Sequence, residues 1–276
     1  MQNFEGSGKS ETGARIAYVF AQTNKKISNC VLYCGPSNKS VDVVFGKIIC
    51  NSYCTCMAVT MFVVEKFVNL LDATEELKLN ILRIYSSGIE RLDYPGAEHH
   101  NVTWKSSAKC PDWAKPYALH HLLRQDENSK LVIFERRLKR MKEEGEIPTA
   151  KLCYEYRCVL RAAEEEFFKN KKFDIVFCTC NEASGGRIKR HKSLAPRQCI
   201  IDECGMAYEP ETIVPISLCE HVVLIGDHQQ LQPVIDYKPA RDCGLTTSLF
   251  ERYANHHNEF LYTLGIQYRM VSWLCY

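Results

Sequence analysis

An acidic pair, Asp202 and Glu203, directly follows the apolar segment Cys199-Ile200-Ile201, and this placement constrains the fold more than any other feature of the chain. The apolar residues can form a buried strand, which puts the Asp202 carboxylate at the carboxyl edge of a sheet. Ligands bind at that edge in open α/β sheets. Acidic pairs after strands also cap helices, so the pair alone is compatible with a purely structural role.

Strand-like and helix-like segments alternate along the chain, which predicts a parallel sheet covered by helices. The predicted strands are Cys30 to Cys34, Leu82 to Tyr85, Asp174 to Cys180, Gln198 to Asp202, His221 to Ile225 and Phe260 to Leu264. A first helix is predicted from Gly8 to about Gln22. A second follows Ser37, with Asn38 as its cap and an apolar stripe of Val41, Val44, Phe45 and Ile48.

Residues 86–172 are predicted to form a mostly helical insertion within one domain that occupies residues 1–276. Four prolines interrupt a polar, highly charged stretch there, and Leu131 to Glu144 and Leu152 to Lys169 are typical of amphipathic helices. The glycine-rich segment near residue 6 begins without a preceding strand, and the chain stops shortly after Arg269. We therefore expect a domain truncated at both ends, without its first strand and without a partner domain.

The composition, with 46% hydrophobic and 25% charged residues, is typical of a globular protein. No segment has the length of a membrane span or the pattern of a signal peptide, so we expect a cytoplasmic or nuclear protein without a membrane partner. The fifteen cysteines are odd in number and scattered, which favours free thiols in a reducing compartment. One tight group, Cys50, Cys54 and Cys56, has no nearby histidine, so thiols at a helix end are favoured over zinc there.

The segment Gly6-Ser7-Gly8-Lys9-Ser10 resembles a phosphate-binding loop followed by a helix. Gly6 and Gly8 allow backbone N–H groups to surround phosphates, and the helix dipole favours the negative charge. Lys9 would contact the β- and γ-phosphates, and Ser10 would ligate Mg²⁺. The full pattern has glycine where Asn3 stands, so a chance match in a flexible turn stays open at this point.

Three further segments supply the chemistry that such a loop requires. Asp202 would hold Mg²⁺ and Glu203 would polarise the attacking water. Gln230, after the strand that ends before Gly226, could sense the γ-phosphate. Tyr268 and Arg269 offer a ring for a base and a guanidinium for a phosphate. Found together and in this order, the segments predict a RecA-like P-loop nucleoside triphosphatase that uses ATP and Mg²⁺.

The chain resembles superfamily 1 helicases of the up-frameshift type, and in particular the helicase-with-zinc-finger proteins. The resemblance covers nearly the whole chain and rests on these segments: Cys34 to Asp42, Ile201 to Ala207, Glu209 to Thr212, Gly226 to Pro233, Ser248 to Tyr253 and Gln267 to Met270. The sequence Asn3-Phe4-Glu5 departs from the usual start of the phosphate loop, and no Cys/His zinc-finger array is present.

The resemblance implies the first RecA-like motor domain of an ATP-dependent helicase that translocates on single-stranded nucleic acid, RNA in preference to DNA. It implies that Lys9, Ser10, Asp202, Glu203, Gln230 and Arg269 serve ATP hydrolysis and that Tyr268 lies near the base. Backbone-gripping roles are implied for Pro36, Ser37, Asn38 and Thr179. The basic run that includes Arg187, Lys189 and Arg190 follows Thr179 closely and is a further nucleic-acid candidate.

Two alternatives stay open. The domain could be a regulator that binds nucleotide without unwinding, or a non-functional truncated product. The resemblance also implies that a second RecA-like domain supplies an arginine finger, which is worth about 10³–10⁵ in rate. We therefore expect this chain alone to hydrolyse ATP very slowly.

Overall fold

The computed structural model describes residues 8–25, 29–51, 79–95, 109–169 and 171–264. The strands are β1 (Cys30–Gly35), β2 (Ile81–Arg83), β3 (Ile175–Thr179), β4 (Pro196–Ile201) and β5 (His221–Leu224). The α-helices are α1 (Lys9–Asn24), α2 (Asn38–Asn51), α3 (Ser87–Asp93), α4 (Leu119–Leu122), α5 (Lys130–Glu143), α6 (Ala150–Lys169), α7 (Cys180–Ala183), α8 (Arg187–Arg190), α9 (Glu209–Ile216), α10 (Lys238–Asp242) and α11 (Leu249–His256). Short 3₁₀ turns cover Asp112–Tyr117, Lys192–Leu194, Cys204–Met206 and Asn258–Phe260.

The five strands form one sheet in the order β2-β3-β1-β4-β5, and every neighbouring pair is parallel. This confirms the predicted α/β fold with a RecA-like parallel sheet. Because all the strands run the same way, their carboxyl ends meet at one edge. The segments that follow β1, β3, β4 and β5 therefore lie side by side, and most of the predicted site residues belong to them.

One predicted strand was wrong. Phe260 closes a 3₁₀ turn, and residues 261–264 form no strand. The side chains of Phe260 and Tyr262 are 74% and 87% exposed, so this segment packs against no sheet neighbour in the described part of the chain. Aromatic content suggested a strand, but a strand is stable only when an adjacent strand satisfies its backbone groups.

The core consists of two apolar layers, one on each face of the sheet. Alternate residues of β1 point to opposite faces, so Val31 and Tyr33 pack with α1 and α2 while Leu32 and Cys34 pack on the other side. Ala14, Ala17 and Ala21 allow α1 to lie close to the sheet, and the predicted stripe of α2 is fully buried: Val41, Val44, Phe45 and Ile48. The second face is covered by residues from α5, α6, α7, α8 and α11.

The start of α2 differs from the prediction. Asn38 is its first residue, and the Ser37 hydroxyl caps the helix by accepting the Ser40 N–H at 3.1 Å. The Asn38 side chain is instead engaged by the buried Arg83, whose Nη2 donates to Oδ1 at 2.9 Å. Sequence alone does not distinguish two adjacent residues that are both good caps.

Helices α3 to α6 lie between β2 and β3. The described part of residues 86–172 is therefore mostly helical. That these residues are an insertion stays a prediction. The cysteines whose side chains the structure describes are free thiols. Among the described helices, none combines the length and apolar character needed to cross a bilayer.

The loops after β4 and β5 pack backbone against backbone. A Cβ atom on Gly205 would lie 2.7 Å from the Asp227 carbonyl oxygen, and one on Gly226 would lie 2.8 Å from the Gly205 nitrogen. Such distances are shorter than van der Waals contact, so only glycine permits this approach. The contact fixes the spacing between the acidic groups that the two loops carry.

Gly205→Ala is expected to destabilise the fold by about 1–3 kcal/mol, because backbone atoms cannot move aside as a side chain can. The matched control is Gly88→Ala in α3, where a Cβ would meet no atom within 4 Å. The control is expected to be neutral or stabilising, since alanine is the better helix former. Thermal unfolding of both variants measures the difference, and an equal melting temperature for the two would contradict the close-packing argument.

Candidate nucleotide site at the carboxyl edge of the sheet

The N-terminus of α1 points its free N–H groups toward this edge. Gly8 precedes the helix with φ 80°, a left-handed conformation that favours glycine, and no side chain caps the helix there. Lys9 and Ser10 are its first two residues. An uncapped helix start with a lysine and a hydroxyl is suited to binding phosphate. Gly6 and Ser7, the other predicted members of the loop, lie outside the described residues.

Asp202 lies directly after β4 and is almost fully buried. Its burial and the negative charge of Glu203 raise the pKa of Asp202 to about 6, while the Glu203 N–H and the hydroxyls of Tyr33 and Ser10 oppose the rise. Ser10 of α1 and Asp202 of β4 are therefore adjacent. Tyr33 was not predicted as a site residue, because its position on β1 is that of an ordinary core aromatic.

Glu203 adopts a left-handed backbone conformation with φ 54°, and it is the single non-glycine residue with positive φ in the described chain. Its N–H donates to Asp202 Oδ1 at 3.0 Å, which stabilises the tight turn. Backbone strain of this kind costs about 1–3 kcal/mol and is concentrated at functional sites. The Glu203 side chain is half-buried.

Asp227, after β5, connects two predicted site residues. Its Oδ2 accepts the Gln230 side-chain amide at 2.7 Å and lies 3.8 Å from Lys9 Nζ. Its Oδ1 accepts the Gln229 N–H at 3.0 Å. Asp227 belongs to the Gly226 to Pro233 motif, but no role was predicted for it. Its signal was an acidic residue shortly after a predicted strand, although the structure leaves β5 partly exposed.

The predicted nucleic-acid residues lie at the ends of the neighbouring strands. Pro36 and Ser37 follow β1, and Asn38 begins α2. Thr179 ends β3, pairs in register with Gly35, and accepts the Glu182 N–H through its hydroxyl at 3.2 Å. The two candidate sites thus share one edge of the sheet, with the nucleotide residues at β4 and β5 and these residues at β1 and β3.

Arg187 is half-buried, whereas the sequence suggested an exposed basic residue. Its guanidinium donates to both Glu90 carboxylate oxygens at 2.8 Å and to Glu164 at 2.8 Å. Arg190 also contacts Glu164, at 3.2 Å. Lys189 and Lys192 are exposed. The internal ion pairs neutralise Arg187, so Lys189 and Lys192 are better placed than Arg187 to meet a phosphate.

Tyr268 and Arg269 lie outside the described residues, so their placement stays a prediction. The described residues fit a magnesium ion: the Ser10 hydroxyl and the Asp202 carboxylate are adjacent oxygen donors, the ligand type that Mg²⁺ prefers. Burial, and next the charge of Glu203, raises the pKa of Asp202 by penalising its ionised form, and a bound cation would relieve that penalty.

Comparisons with known proteins agree with this geometry. Residues 1–238 match the family described as an AAA domain. The human protein named 3'-5' exoribonuclease HELZ2 is 32% identical over 301 residues, covering 100% of this chain and 9% of that protein. The Regulator of nonsense transcripts 1 homolog of Drosophila melanogaster is 32% identical over 280 residues, covering 98% of this chain and 18% of that protein.

The ATP-dependent helicase NAM7 of Saccharomyces cerevisiae is 29% identical over 276 residues, covering 99% of this chain and 22% of that protein. The chain therefore spans between 9% and 22% of the length of these three relatives. The family match extends over most of the chain and includes every element from the start of α1 to the loop after β5. The chain belongs to the AAA-domain family and, within it, to the up-frameshift type of superfamily 1 helicase domain.

Proposed function

We propose that this chain is the ATP-binding motor domain of an ATP-dependent helicase and couples ATP hydrolysis to movement on single-stranded nucleic acid. The observation that carries the proposal is the convergence of Lys9, Ser10, Asp202, Glu203 and Gln230 around two buried carboxylates at one sheet edge. Phosphoryl transfer depends mostly on positioning and charge stabilisation, and these residues offer both.

Each residue has a distinct part in the proposed reaction. The Lys9 ammonium would leave Asp227 for the β- and γ-phosphates of ATP, because a phosphate carries more negative charge than one carboxylate. Gln230, held by the same carboxylate at 2.7 Å, would respond to that change and report the γ-phosphate. Glu203 would accept the proton of the attacking water.

Magnesium, when bound by Ser10 and Asp202, would neutralise charge on the β- and γ-phosphate oxygens. We assign Arg269 to the γ-phosphate, Tyr268 to the base, and Gly6, Ser7 and Gly8 to the phosphate loop. A second RecA-like domain would complete the site with an arginine, and a cytoplasmic or nuclear location belongs to the same proposal.

The nucleic-acid strand is proposed to lie across the carboxyl ends of β1 and β3. Pro36, Ser37, Asn38 and Thr179 supply small polar groups and backbone N–H groups there, which suit contacts with a sugar-phosphate backbone. The names of two relatives refer to RNA, one as an exoribonuclease and one as a regulator of transcripts, which supports RNA rather than DNA.

Lys9→Ala is expected to weaken ATP binding by about 10- to 100-fold, because a charged hydrogen bond contributes about 1.5–3 kcal/mol. Glu203→Gln should bind Mg²⁺–ATP normally and stop hydrolysis, since it keeps shape and loses only the base. Titration with a fluorescent ATP analogue measures the first effect. Steady-state turnover with single-stranded RNA, in the chain joined to a second RecA-like domain, measures the second. Glu220→Gln, at an exposed ion pair with Arg197, is the matched control and should change neither.

Equal loss of ATP affinity in the Lys9 and Glu203 variants would contradict the division of roles. Tight ATP binding without any turnover, even with single-stranded RNA and a second RecA-like domain present, would instead favour a nucleotide-binding regulator that does not translocate.

Asp202→Asn is expected to stabilise the magnesium-free protein at pH 8. The pKa of Asp202 is about 6 when folded, against about 3.9 when unfolded, so folding favours its protonated form. Stability therefore falls as pH rises from about 4 to about 6, by up to about 3 kcal/mol. Thermal unfolding in EDTA should show the largest gain of the variant at pH 8 and almost none at pH 4. A gain that does not depend on pH would show that the charge of Asp202 is not its cause.

Replacing Lys189 and Lys192 by Ala is expected to weaken single-stranded RNA binding and reduce its salt dependence, because fewer counterions are released. The control replaces Lys139 and Lys142, two exposed lysines on α5, and should leave both quantities unchanged. Affinities measured at several salt concentrations give the slope. Identical slopes for the two double variants would assign Lys189 and Lys192 to an ordinary solvated surface.

A further inference from the structure

A cluster of metal-binding side chains lies away from the nucleotide site, where α3, the segment before the Asp112–Tyr117 turn, and α4 meet. It consists of Asp93 at the end of α3, Cys110, and the adjacent His120 and His121 of α4. One donor atom from each residue can be chosen so that all lie within 4.8 Å of one another. This is the one such group in the described part of the chain.

The spacing inside the cluster is close to that of a tetrahedral ion. Asp93 Oδ2 lies 3.0 Å from His120 Nε2 and 3.2 Å from His121 Nε2. Zinc bonds of about 2.0–2.1 Å to nitrogen and oxygen place neighbouring tetrahedral ligands about 3.3 Å apart. The two Asp93–His distances would need to change by only a few tenths of an ångström to reach this spacing, and the Cys110 thiol lies within 4.8 Å of the other donor atoms.

Not every polar atom of the cluster has its own hydrogen-bond partner. One carboxylate oxygen of Asp93 serves both imidazoles. His120 is 2% exposed, and its Nδ1 is buried without a partner. Cys110 is also buried, and its thiol makes a long contact of 3.7 Å with the Pro111 carbonyl. Two imidazoles that share one carboxylate oxygen, beside a weakly bonded thiol, form a poor set of hydrogen bonds, which a metal ion bound by these donors would replace.

Surrounding residues hold the histidines in place. The Tyr94 hydroxyl lies 2.9 Å from His121 Nδ1, so this hydrogen bond leaves Nε2 directed to the cluster. The Arg124 guanidinium stacks 4.0 Å above the Tyr94 ring and donates to the His120 carbonyl oxygen. Glu135 in turn binds Arg124 through both carboxylate oxygens. Outer hydrogen bonds of this kind orient histidine ligands in metal sites.

We propose that Asp93, Cys110, His120 and His121 bind a structural Zn²⁺ ion. Two nitrogens, one thiolate and one carboxylate form a four-ligand set that favours zinc over Mg²⁺ or Ca²⁺, which prefer oxygen alone. Binding releases the thiol proton of Cys110, so zinc affinity should rise with pH. The ion would fasten α3 and α4 to the segment beside β2. None of these four residues belongs to the Cys50, Cys54 and Cys56 group, of which Cys54 and Cys56 lie outside the described residues.

The test is zinc content and cobalt substitution in the purified chain. Protein purified without chelators is expected to contain one zinc ion per chain. The Co²⁺-substituted protein should show the d–d absorption bands of a tetrahedral site and a thiolate-to-cobalt charge-transfer band. In Cys110→Ser the charge-transfer band should disappear and zinc affinity should fall at least tenfold. Cys158→Ser, which changes an exposed thiol outside the cluster, is the matched control and should behave as the unaltered chain.

A second readout distinguishes metal binding from simple loss of folding. Zinc added to chelated protein should raise the melting temperature of the unaltered chain and of the Cys50→Ser, Cys54→Ser, Cys56→Ser triple variant. The same addition should not raise that of His120→Ala or Cys110→Ser. The proposal would be overturned if the unaltered chain took up no zinc after reconstitution, or if both cluster variants still bound zinc. The cluster would then be a hydrogen-bonded Asp–His–His group.

Discussion

The burial of the Asp202 carboxylate at the end of β4 is the constraint on which the rest of the sheet edge depends. A buried carboxylate beside another acid is unfavourable, and here it raises the pKa of Asp202 to about 6. The turn at Glu203, with φ 54°, supplies an N–H to that carboxylate, and α1 brings Ser10 to it. The fold thus holds concentrated negative charge beside an uncapped helix N-terminus, an arrangement that becomes favourable once a cation and a phosphate bind.

The second carboxylate, Asp227, complements the first. Asp227 contacts the Lys9 ammonium and the Gln230 amide, which are proposed to contact the γ-phosphate. The close backbone contact between Gly205 and Asp227 fixes the distance between the two acidic loops. If a phosphate draws Lys9 away, Gln230 is the remaining side-chain partner of Asp227. Binding or loss of the phosphate would then change the contacts of the loop after β5 through this one carboxylate.

The sequence predicted the parallel sheet because buried strands depend on local patterns, and the same patterns nominated the residues proposed for the nucleotide site. Buried strands are short apolar runs, and the functional side chains directly follow them, as Asp202 does. The errors and omissions have a different origin. Phe260 to Leu264 has strand-like residues but no neighbouring strand in the described chain. The ion pairs of Arg187 with Glu90 and Glu164 and the grouping of Asp93 with Cys110 and His120 join residues far apart in sequence. No local pattern reports such contacts.

The ion pairs of Arg187 also connect the segment after β3, part of the proposed nucleic-acid surface, to the helices between β2 and β3. Arg187 follows Thr179 by eight residues, whereas Glu90 belongs to α3 and Glu164 to α6. Burial raises the pKa of the nearby Glu182 to about 7, although the Arg187 charge opposes the rise. Removing Arg187 would take away the ion-pair partner of Glu90 and Glu182 and leave Glu164 with Arg190, which costs more than losing a surface ion pair. The segment after β3 is therefore tied by ion pairs to α3 and α6, and the exposed Lys189 and Lys192 belong to this segment.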